Sequence, residues 1–409
     1  MKIKQKFLAL GLSISIVLGN IGSINALDTV STIEGTDRYE TAGLVADKLT
    51  YDTAILVNSD RTLADGLSAS GLAGVVKAPI LLSKENVLPK ATSSRLGNVK
   101  KIYIIGGYDM ISHEIEDSLK AQGIEIKRIE GDDRIKTSLY VADEIAKLKK
   151  IDKVIFTNGF KGEADAMSVS PVAVRDQAPI ILTNGQSTSF DSKDMESYVL
   201  GSADVMSDSL VADTNATRLG GVNRFETNKK VIQQFFKSPT SFYITKSHIL
   251  VDSLTGSTIA GESPIVLVNT MSDKSILKGA RSLTTLGSLD RVTLQRSINA
   301  TDPKDMYNKD ALNKELMILL QYNDKVSFEL CKEENANYID LAKSYNGTLQ
   351  NLYEEHLMIN SNSVIYNKVT TLITQEIDLN NALVRDDLDA ATELSQMILD
   401  TITEIDALQ

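Results

Sequence analysis

Three arginines recur in one short motif, and their guanidinium groups could bind an anion. The motif is Gly-x-Asp/Asn-Arg-x-x-Thr, and it occurs at residues 35–41, 131–137 and 221–227. A guanidinium group is planar and carries five N–H donors, so it can hold a phosphate or a carboxylate through paired hydrogen bonds. One interpretation is that Arg38, Arg134 and Arg224 grip the anionic groups of a ligand. The other is that each arginine pairs with a carboxylate, such as Asp65 or Asp165, in its own or a neighbouring repeat and organises packing.

An aspartate also recurs, about thirty residues after the start of each motif, as Asp65, Asp165 and Asp252. Acid/base catalysis needs two titrating groups with separated pKa values in one cleft, and each repeat offers one recurring acid. A carboxylate just before a helix, or in its first turn, satisfies free N–H groups and the helix dipole. We therefore expect these three aspartates to cap helices. The same role is expected of the residue before each arginine, namely Asp37, Asp133 and Asn223.

Two further blocks follow in the same order in each copy. Ala-Pro-Ile-Leu-Leu at residues 78–82 is matched at 178–182 and 263–267. Tyr-Ile-Ile-Gly-Gly at 103–107 is echoed at 198–202 and, faintly, at 285–288. Successive motifs are 96 and 90 residues apart, which is too long for a solenoid unit of roughly 20–50 residues. The chain therefore contains three copies of a small domain or subdomain, and the third copy has diverged most.

These four ordered blocks resemble the clostridial cell-wall-binding repeat proteins of the type 2 family. The resemblance covers roughly residues 28–297. It implies three Rossmann-like or flavodoxin-like modules packed in a pseudo-threefold arrangement. It also implies attachment to an anionic polymer of a Gram-positive cell wall, often beside a surface layer.

Alternating helical and strand patterns independently predict an α/β fold. Ala42, Val45, Ala46 and Leu49 recur at helical spacing after the first motif. Short apolar runs, such as residues 54–57, predict buried parallel strands. Strands that alternate with helices predict a mostly parallel sheet with right-handed crossovers.

Polar residues follow the predicted strands and are candidate ligand contacts, because ligands of parallel sheets bind beyond the carboxyl ends of the strands. Their amide and ammonium groups suit sugar hydroxyls and phosphates, although ordinary loop polarity would explain them as well. The candidates are Asn58, Lys84, Asn158, Asn184, Lys246 and Asn269. Gly106-Gly107 and Gly220-Gly221 lack the spacing of a nucleotide-binding loop, so we expect turn glycines there.

The first 26 residues predict export. Three lysines precede an apolar run from Phe7 to Leu18, and Ala26 offers a small residue for cleavage. The run is shorter than the ~20 residues that span a bilayer. We expect a secreted mature chain without a membrane span. The single cysteine, Cys331, excludes an internal disulfide and a cysteine-built metal site.

Charge is unevenly distributed along the chain. The net charge is about −2 for residues 27–299 and about −12 for residues 300–409. An acidic chain is a poor nucleic-acid binder, since neutralising phosphates needs clustered lysine and arginine. The nearly neutral repeats could approach a polyanion, whereas the tail would be repelled by it and should point away.

The residues give little support for catalysis. A zinc amidase needs several histidine and acidic ligands around one ion, and His113, His248 and His356 are scattered in the sequence. Cys331 and His356 would lie about 37 Å apart on one continuous helix, and a break near Gly347 could bring them closer. We expect Cys331 to fill core space, and we expect no cofactor and no metal.

Residues 303–409 show helical periodicity and predict three or four amphipathic helices in an antiparallel bundle or hairpin. We expect a signal peptide at 1–26, wall-binding repeats at 27–128, 129–218 and 219–299, and an acidic helical domain at 300–409. The sequence thus predicts a non-catalytic surface protein, held non-covalently by an anionic wall polysaccharide and displaying its tail, with surface-layer proteins as candidate partners. The alternatives are an enzyme acting on wall glycan from an inter-repeat cleft, and a structural component of a surface lattice.

Overall fold

The structure is a computed structural model that describes residues 29–60, 63, 65–301, 309–331, 337–359 and 364–406. The predicted signal peptide at 1–26 lies outside the described residues. The described chain forms two compact units, one up to Asp290 and one from Arg291 onwards. Helix Arg291–Asn299, which we assigned to the third repeat, groups with the second unit.

The first unit alternates strands and helices along the chain. Its strands are β1 (Thr29–Ile33), β2 (Thr53–Asn58), β3 (Ile80–Ser83), β4 (Lys101–Ile105), β5 (Glu125–Ile129), β6 (Lys153–Asn158), β7 (Ile180–Thr183), β8 (Glu196–Leu200), β9 (Thr217–Leu219), β10 (Ser241–Lys246), β11 (Ile265–Val268) and β12 (Ser282–Leu286). Its α-helices are α1 (Arg38–Ala46), α2 (Ala69–Val76), α3 (Lys90–Ser93), α4 (His113–Ala121), α5 (Arg134–Leu148), α6 (Glu163–Asp176), α7 (Asp208–Asp213), α8 (Arg224–Phe235) and α9 (Val251–Ala260). Short 3₁₀ turns occupy Gly66–Ser68 and Ser275–Leu277.

The strands form three parallel four-stranded sheets, which confirms the predicted α/β class. Module 1 is the sheet β3-β2-β4-β5, module 2 is β7-β6-β8-β9, and module 3 is β11-β10-β12-β1. The apolar runs supply the central strands, whose side chains are buried on both faces as in other parallel sheets. Strand β1 belongs to module 3 although it precedes the first motif. It pairs with β12, so that Val30 lies beside Leu283.

One helix from each module packs against the other two around the centre of the unit, namely α2, α6 and α9. Small residues make this approach possible. A Cβ at Gly71 would overlap the carbonyl oxygen of Ala178, and a Cβ at Gly74 would overlap that of Val174. These glycines let α2 lie directly against the neighbouring module. Their closest approaches at these two positions are to backbone of the adjoining module.

The second unit is helical, as predicted. Its described helices are α10 (Arg291–Asn299), α11 (Lys309–Cys331), α12 (Tyr338–Ile359), α13 (Val364–Val384) and α14 (Leu388–Asp406). Leu319, Leu352, Leu372 and Ile398 share one apolar core, which confirms the predicted amphipathic faces. The side chain of Cys331 lies outside the described part of the structure.

The helical core also contains polar groups. Asn323 Nδ2 donates to Glu376 Oε1 at 2.6 Å, and Tyr322 donates to Asn380 at 2.8 Å. Complete burial raises the pKa of Glu376 to about 8, so its carboxyl group is largely protonated at neutral pH. The bundle therefore buries this acid in its uncharged form.

Candidate functional site

Each recurring motif is a helix-entry turn. The motif glycine donates its N–H to the hydroxyl of the motif threonine, six residues later, at 3.0–3.1 Å. The residue before the arginine is an extended N-cap whose side chain accepts the N–H three residues on. The predicted N-caps are thereby confirmed at Asp37, Asp133 and Asn223. The turn places the motif arginine at the first position of α1, α5 and α8.

Each motif arginine donates Nη1 to a backbone carbonyl in the loop after the first strand of its own repeat. The acceptors are Ser59 for Arg38 at 2.5 Å, Gly159 for Arg134 at 2.7 Å, and Ser247 for Arg224 at 2.6 Å. This is the hydrogen bond that the structure records for each of these guanidinium groups among the described residues. Since a guanidinium carries five donors, N–H groups remain for a ligand at every arginine.

The same arginines face aspartates of the preceding module. Arg134 lies near Asp65, Arg224 near Asp165, and Arg38 near Asp252. We call these three contacts between neighbouring modules the joins. The third is the closing join, because it connects module 3 to module 1. Burial raises the pKa of all three carboxyl groups, to about 6 for Asp165 and Asp252, and the facing arginine opposes this shift. The packing interpretation therefore holds in part, with the partner in the neighbouring module.

The recurring glycines at the ends of β4, β8 and β12 make room for these carboxylates. Gly106, Gly201 and Gly287 all have positive φ angles, at which a side chain is strained. A Cβ at Gly106 would lie 2.8 Å from Asp65 Oδ2, and one at Gly287 would overlap Asp252. Gly106 lies at a turn, as predicted.

The capping role expected of the recurring aspartates is wrong. Asp65 stands at the start of a 3₁₀ turn but makes no side-chain cap bond there. Asp165 and Asp252 lie in the first turns of α6 and α9, whose N-cap positions are Gly162 and Leu250. Instead, Asp65 and Asp165 face the hydroxyl groups of Thr137 and Thr227 from the following motifs, which oppose the rise of their pKa values on burial.

The join between modules 2 and 3 forms an open cleft of about 510 Å³. Asp165 and Ser202 line it from module 2, and Arg224 lines it from the third motif. Lys161 adds a positive charge, and His248 adds an imidazole ring. The cleft thus combines cationic donors with two carboxylates, the buried Asp165 and the exposed Glu163, an arrangement suited to a ligand with anionic and hydroxyl groups.

The strand-end candidates divide into two groups. Asn58, Asn158 and Lys246 tie the loop after the first strand to the loop after the third, through Met110 O at 2.6 Å, Val205 O at 2.9 Å and Ser288 Oγ at 3.0 Å. These loops flank the point where strand order reverses, which is where parallel sheets commonly bind ligands. In this protein the crevice is bridged by the chain's own side chains.

The other three candidates lie in loops after the second strand of each repeat. Asn184 is exposed and accepts the N–H groups of Gln186 and Ser187, which forms a local turn. Asn269 does the same for Met271 and Ser272. The exposed Lys84 lies 3.6 Å from Asp60 and over the Tyr39 ring. Polymer contact by these residues stays a prediction.

Sequence reasoning missed one exposed aromatic side chain. Phe160 is 58% exposed, and the guanidinium of Arg134 lies 5.1 Å from the centre of its ring. The corresponding positions two residues after the first strand are Asp60 and His248. Because the ring does not recur, a search for repeated residues passes over it.

The histidines lie in separate surroundings. His113 stacks on Tyr108, His248 lines the cleft just described, and His356 is buried against Glu315 at 2.9 Å. Within the described ranges, no three His, Cys, Asp or Glu residues are arranged to hold a metal ion. The same ranges contain no helix that is both long and apolar enough to cross a membrane.

Comparisons with known proteins agree with this architecture. The family described as Cell wall binding domain 2 (CWB2) matches residues 32–116, 128–211 and 218–294. N-acetylmuramoyl-L-alanine amidase LytC of Bacillus subtilis (strain 168) is 30% identical over 268 residues, which are 63% of this chain and 53% of that protein. The amidase enhancer of the same organism is 30% identical over 258 residues, 61% of this chain and 36% of that protein. The chain thus spans about half or less of these relatives.

Two solved structures share the fold. Cwp6 from Clostridium difficile aligns with a TM-score of 0.62 and 27% identity, covering 71% of this chain and 51% of that one. Cwp8 from the same organism aligns with a TM-score of 0.61 and 31% identity, covering 66% and 51%. Such neighbours point to a cell-wall-associated protein of Gram-positive bacteria. With three matched repeats that together cover more than half of its length, the chain belongs to the Cell wall binding domain 2 family, whose repeats indicate a wall-anchoring protein.

Proposed function

We propose that the chain is a non-catalytic anchor whose three module joins hold an anionic wall glycopolymer. The observation that carries this proposal is the threefold recurrence of an arginine with spare donors at a join. Arg38 and Arg224 are exposed and Arg134 is half-buried, and each has one recorded hydrogen bond to backbone. A bond to a carbonyl fixes the guanidinium in position without cancelling its charge, which favours paired contacts with phosphate or carboxylate.

Three similar sites suit a repeating polymer. When one site is occupied, the polymer's next anionic unit is presented to the next join at high effective concentration. Overall affinity can then exceed that of one join by roughly 10²–10⁴-fold, provided that the geometry allows simultaneous contact. The acidic tail, with a net charge of about −12 over residues 300–409, would be repelled by the polymer, so we propose that it is displayed outward after secretion. Surface-layer proteins are its candidate partners.

The test is co-sedimentation of the chain from residue 27 onwards with purified wall carbohydrate at increasing salt. We expect retention to weaken as salt rises, because exposed charges are screened beyond about 8 Å at physiological ionic strength. The triple variant R38Q/R134Q/R224Q should bind at least about 100-fold more weakly, since each charge-assisted contact contributes about 1.5–3 kcal/mol.

The matched control removes three positive charges elsewhere, in K100Q/K150Q/K237Q. These lysines are exposed and lie outside the described clefts. Equal losses in both triple variants would attribute binding to net charge and contradict the proposal. Melting temperatures of both variants identify any effect that is due to unfolding.

The joins should also bind more tightly in mild acid. Asp165 and Asp252 have pKa values raised to about 6 by burial, so lowering the pH from 7 to 5 protonates them and removes the negative charge beside Arg224 and Arg38. We expect polymer affinity to rise over this interval in the wild type and to change less in D165N/D252N. A fall in wild-type affinity would contradict the assignment of binding to the joins.

A wall-glycan hydrolase remains the second candidate, because one relative is named an N-acetylmuramoyl-L-alanine amidase. The two functions are separated by a zymogram with purified peptidoglycan and wall polymer. Release of soluble products by the purified chain would support the enzyme and overturn the anchor proposal in its non-catalytic form.

A further inference from the structure

A second cleft, of about 540 Å³, opens on module 3 away from the arginine joins. Strand β1 forms one wall through Ser31, and strands β12 and β10 contribute Thr284 and Tyr243. Lys48 and Leu49, just after the end of α1, also line it. The remaining lining residues are Thr32, Ile33, Thr258, Ile259 and Gly261.

The equivalent sheet positions in modules 1 and 2 carry bulky aromatic groups. Strand register aligns Thr284 with Tyr103 and Tyr198, since each pairs with the third residue of the module's first strand. Lys101 lies 5.0 Å from the ring of Tyr103. Tyr198 packs edge-to-face on Phe235 of α8, with ring centres 4.8 Å apart. These faces are filled by aromatic and cationic groups.

The corresponding sheet faces of the three modules also differ in charge. Module 1 pairs Lys127 with Glu144 of α5 at 2.6 Å, and module 2 pairs Lys153 with Asp176 at 2.5 Å. In module 3 the residue that corresponds to Lys127 is Ser31, which shares a hydrogen bond with Thr284 at 2.9 Å. Module 3 therefore has a pair of hydroxyl groups at the position where module 1 has an ion pair, and the corresponding residue of module 2 is Thr217.

The cleft exists because the helix that covers this face is short. The motif helices α5 and α8 contain 15 and 12 residues, whereas α1 contains nine and ends at Ala46. The sheet of module 3 is therefore left uncovered beyond Val45, which packs with Leu286 in the core. The short helix α1 and the small side chains of module 3 together leave the cleft open.

The lining suits an uncharged sugar. Five of its ten residues carry hydroxyl groups, three are aliphatic, and Lys48 is the one charged residue among them. The hydroxyl group of Tyr243 has no hydrogen-bond partner within the described residues. Hydroxyls that both donate and accept can match sugar hydroxyls, while aliphatic and aromatic surface packs against the C–H face of a sugar ring.

We propose that this cleft binds an uncharged saccharide unit, so that the protein contacts neutral sugar as well as anionic groups of the wall glycan. The identification of wall glycan as the source rests on the proposed anchoring function. The chemistry of the cleft itself does not depend on the arginine joins.

The test is titration calorimetry of the chain from residue 27 with two uncharged probes, an N-acetylglucosamine tetramer and maltotetraose, in about 0.5 M sodium chloride to screen charge. We expect at least one probe to bind. Y243F, which removes one hydroxyl group and keeps the ring, should weaken binding about fivefold. S31W should fill the cleft and weaken binding by at least about tenfold.

T29W is the matched control for S31W. Thr29 lies two residues earlier on the same face of β1, bonds to Ser282 as Ser31 bonds to Thr284, and does not line the cleft. It should bind the probe like the wild type. The proposal is overturned if neither probe binds, or if S31W and Y243F bind as the wild type does. The variant R38Q/R134Q/R224Q should keep this salt-resistant binding, so the proposal can fail or succeed separately from the arginine joins.

Discussion

Modules 1 and 2 each take their four strands from a continuous stretch of chain, whereas module 3 takes three and completes its sheet with β1. Partners in the β1–β12 pair are 253 residues apart in the sequence. This strand is also poorly covered, with four of its five residues exposed. The same repeat therefore yields two continuous modules and one that depends on the N-terminus for completion. Sequence similarity among repeats does not imply that they are equally independent.

The joins differ in the same direction. At the joins of modules 1 and 2 and of modules 2 and 3, the hydroxyl groups of Thr137 and Thr227 act together with the facing arginines to lower the pKa of Asp65 and Asp165. At the closing join, the groups that act on Asp252 are the charges of Arg38, Lys246 and Glu34. These two joins thus place a hydroxyl group and a charge beside the aspartate, whereas the closing join places charges there. Four predictions test this contrast.

The largest effect on stability is expected at the centre of the first unit, where α2 of module 1 lies directly against the backbone of α6 in module 2. A Cβ at Gly74 would overlap the carbonyl oxygen of Val174, whereas one at Gly66 would lie 3.1 Å from the flexible Leu254 side chain of module 3. G74A should lower the free energy of unfolding by about 3 kcal/mol or more, and G66A by about 1 kcal/mol or less. Urea denaturation measures both. G97A, with open space around it, controls for the loss of glycine, and equal costs for G74A and G66A would contradict the contrast.

The second effect concerns the pH dependence of the joins. Asp165 and Asp252 have pKa values near 3.8 when unperturbed and about 6 in the fold, so the folded chain binds these protons more tightly than the unfolded chain. Their contribution to stability is full below pH 4 and is lost as the pH rises through about 6. Each carboxyl group should contribute up to about 3 kcal/mol to the difference between pH 4 and pH 7.

Denaturation of D165N and D252N over this pH range checks the sign. Each variant should lose part of the fall in stability that the wild type shows between pH 4 and 7. Profiles parallel to that of the wild type would remove both groups from the pH dependence. A larger effect of D252N would show that the closing join is the more sensitive one.

The third effect is local opening at the closing strand. We expect amide hydrogens of β1 to exchange at least about tenfold faster than those of β5 and β9, which end in buried residues. Hydrogen exchange with mass spectrometry on the intact chain measures this. Equal protection of β1, β5 and β9 would mean that β1 opens only when the whole unit unfolds.

The sequence predicted much of the fold because the repeated blocks coincide with local structure. Apolar runs became central strands, and Asp37 became an N-cap through a bond three residues away. The completion of module 3 by β1 was not predictable in this way, since the pairing of Val30 with Leu283 joins distant segments without a local pattern. The role of Asp65 was predicted wrongly for the same reason, because a capping preference considers only neighbours in sequence.

The candidate site shows the same limit. The motif arginines could be singled out by their recurrence, but the contact of Arg38 with the Ser59 carbonyl depends on how one loop passes over another. The buried bridging role of Asn158 was missed because position after a strand predicts polarity and not burial. Residues that differ between repeats, such as Phe160, cannot be found by searching for what the repeats share.

The difference between repeats at the position of Phe160 gives the smallest predicted effect, which is on polymer binding. Phe160 is exposed beside Arg134, while the equivalent residues near Arg38 and Arg224 are Asp60 and His248. A cation–π contact at an exposed site contributes about 0.5–1 kcal/mol, so F160A should weaken polymer binding about two- to fivefold with little change in melting temperature. Y140A, which removes an exposed aromatic side chain of α5 outside the arginine joins, should leave binding unchanged. If F160A and Y140A weaken binding equally, the ring of Phe160 contributes only as general apolar surface, and its contact with Arg134 gives that arginine no advantage over Arg38 and Arg224.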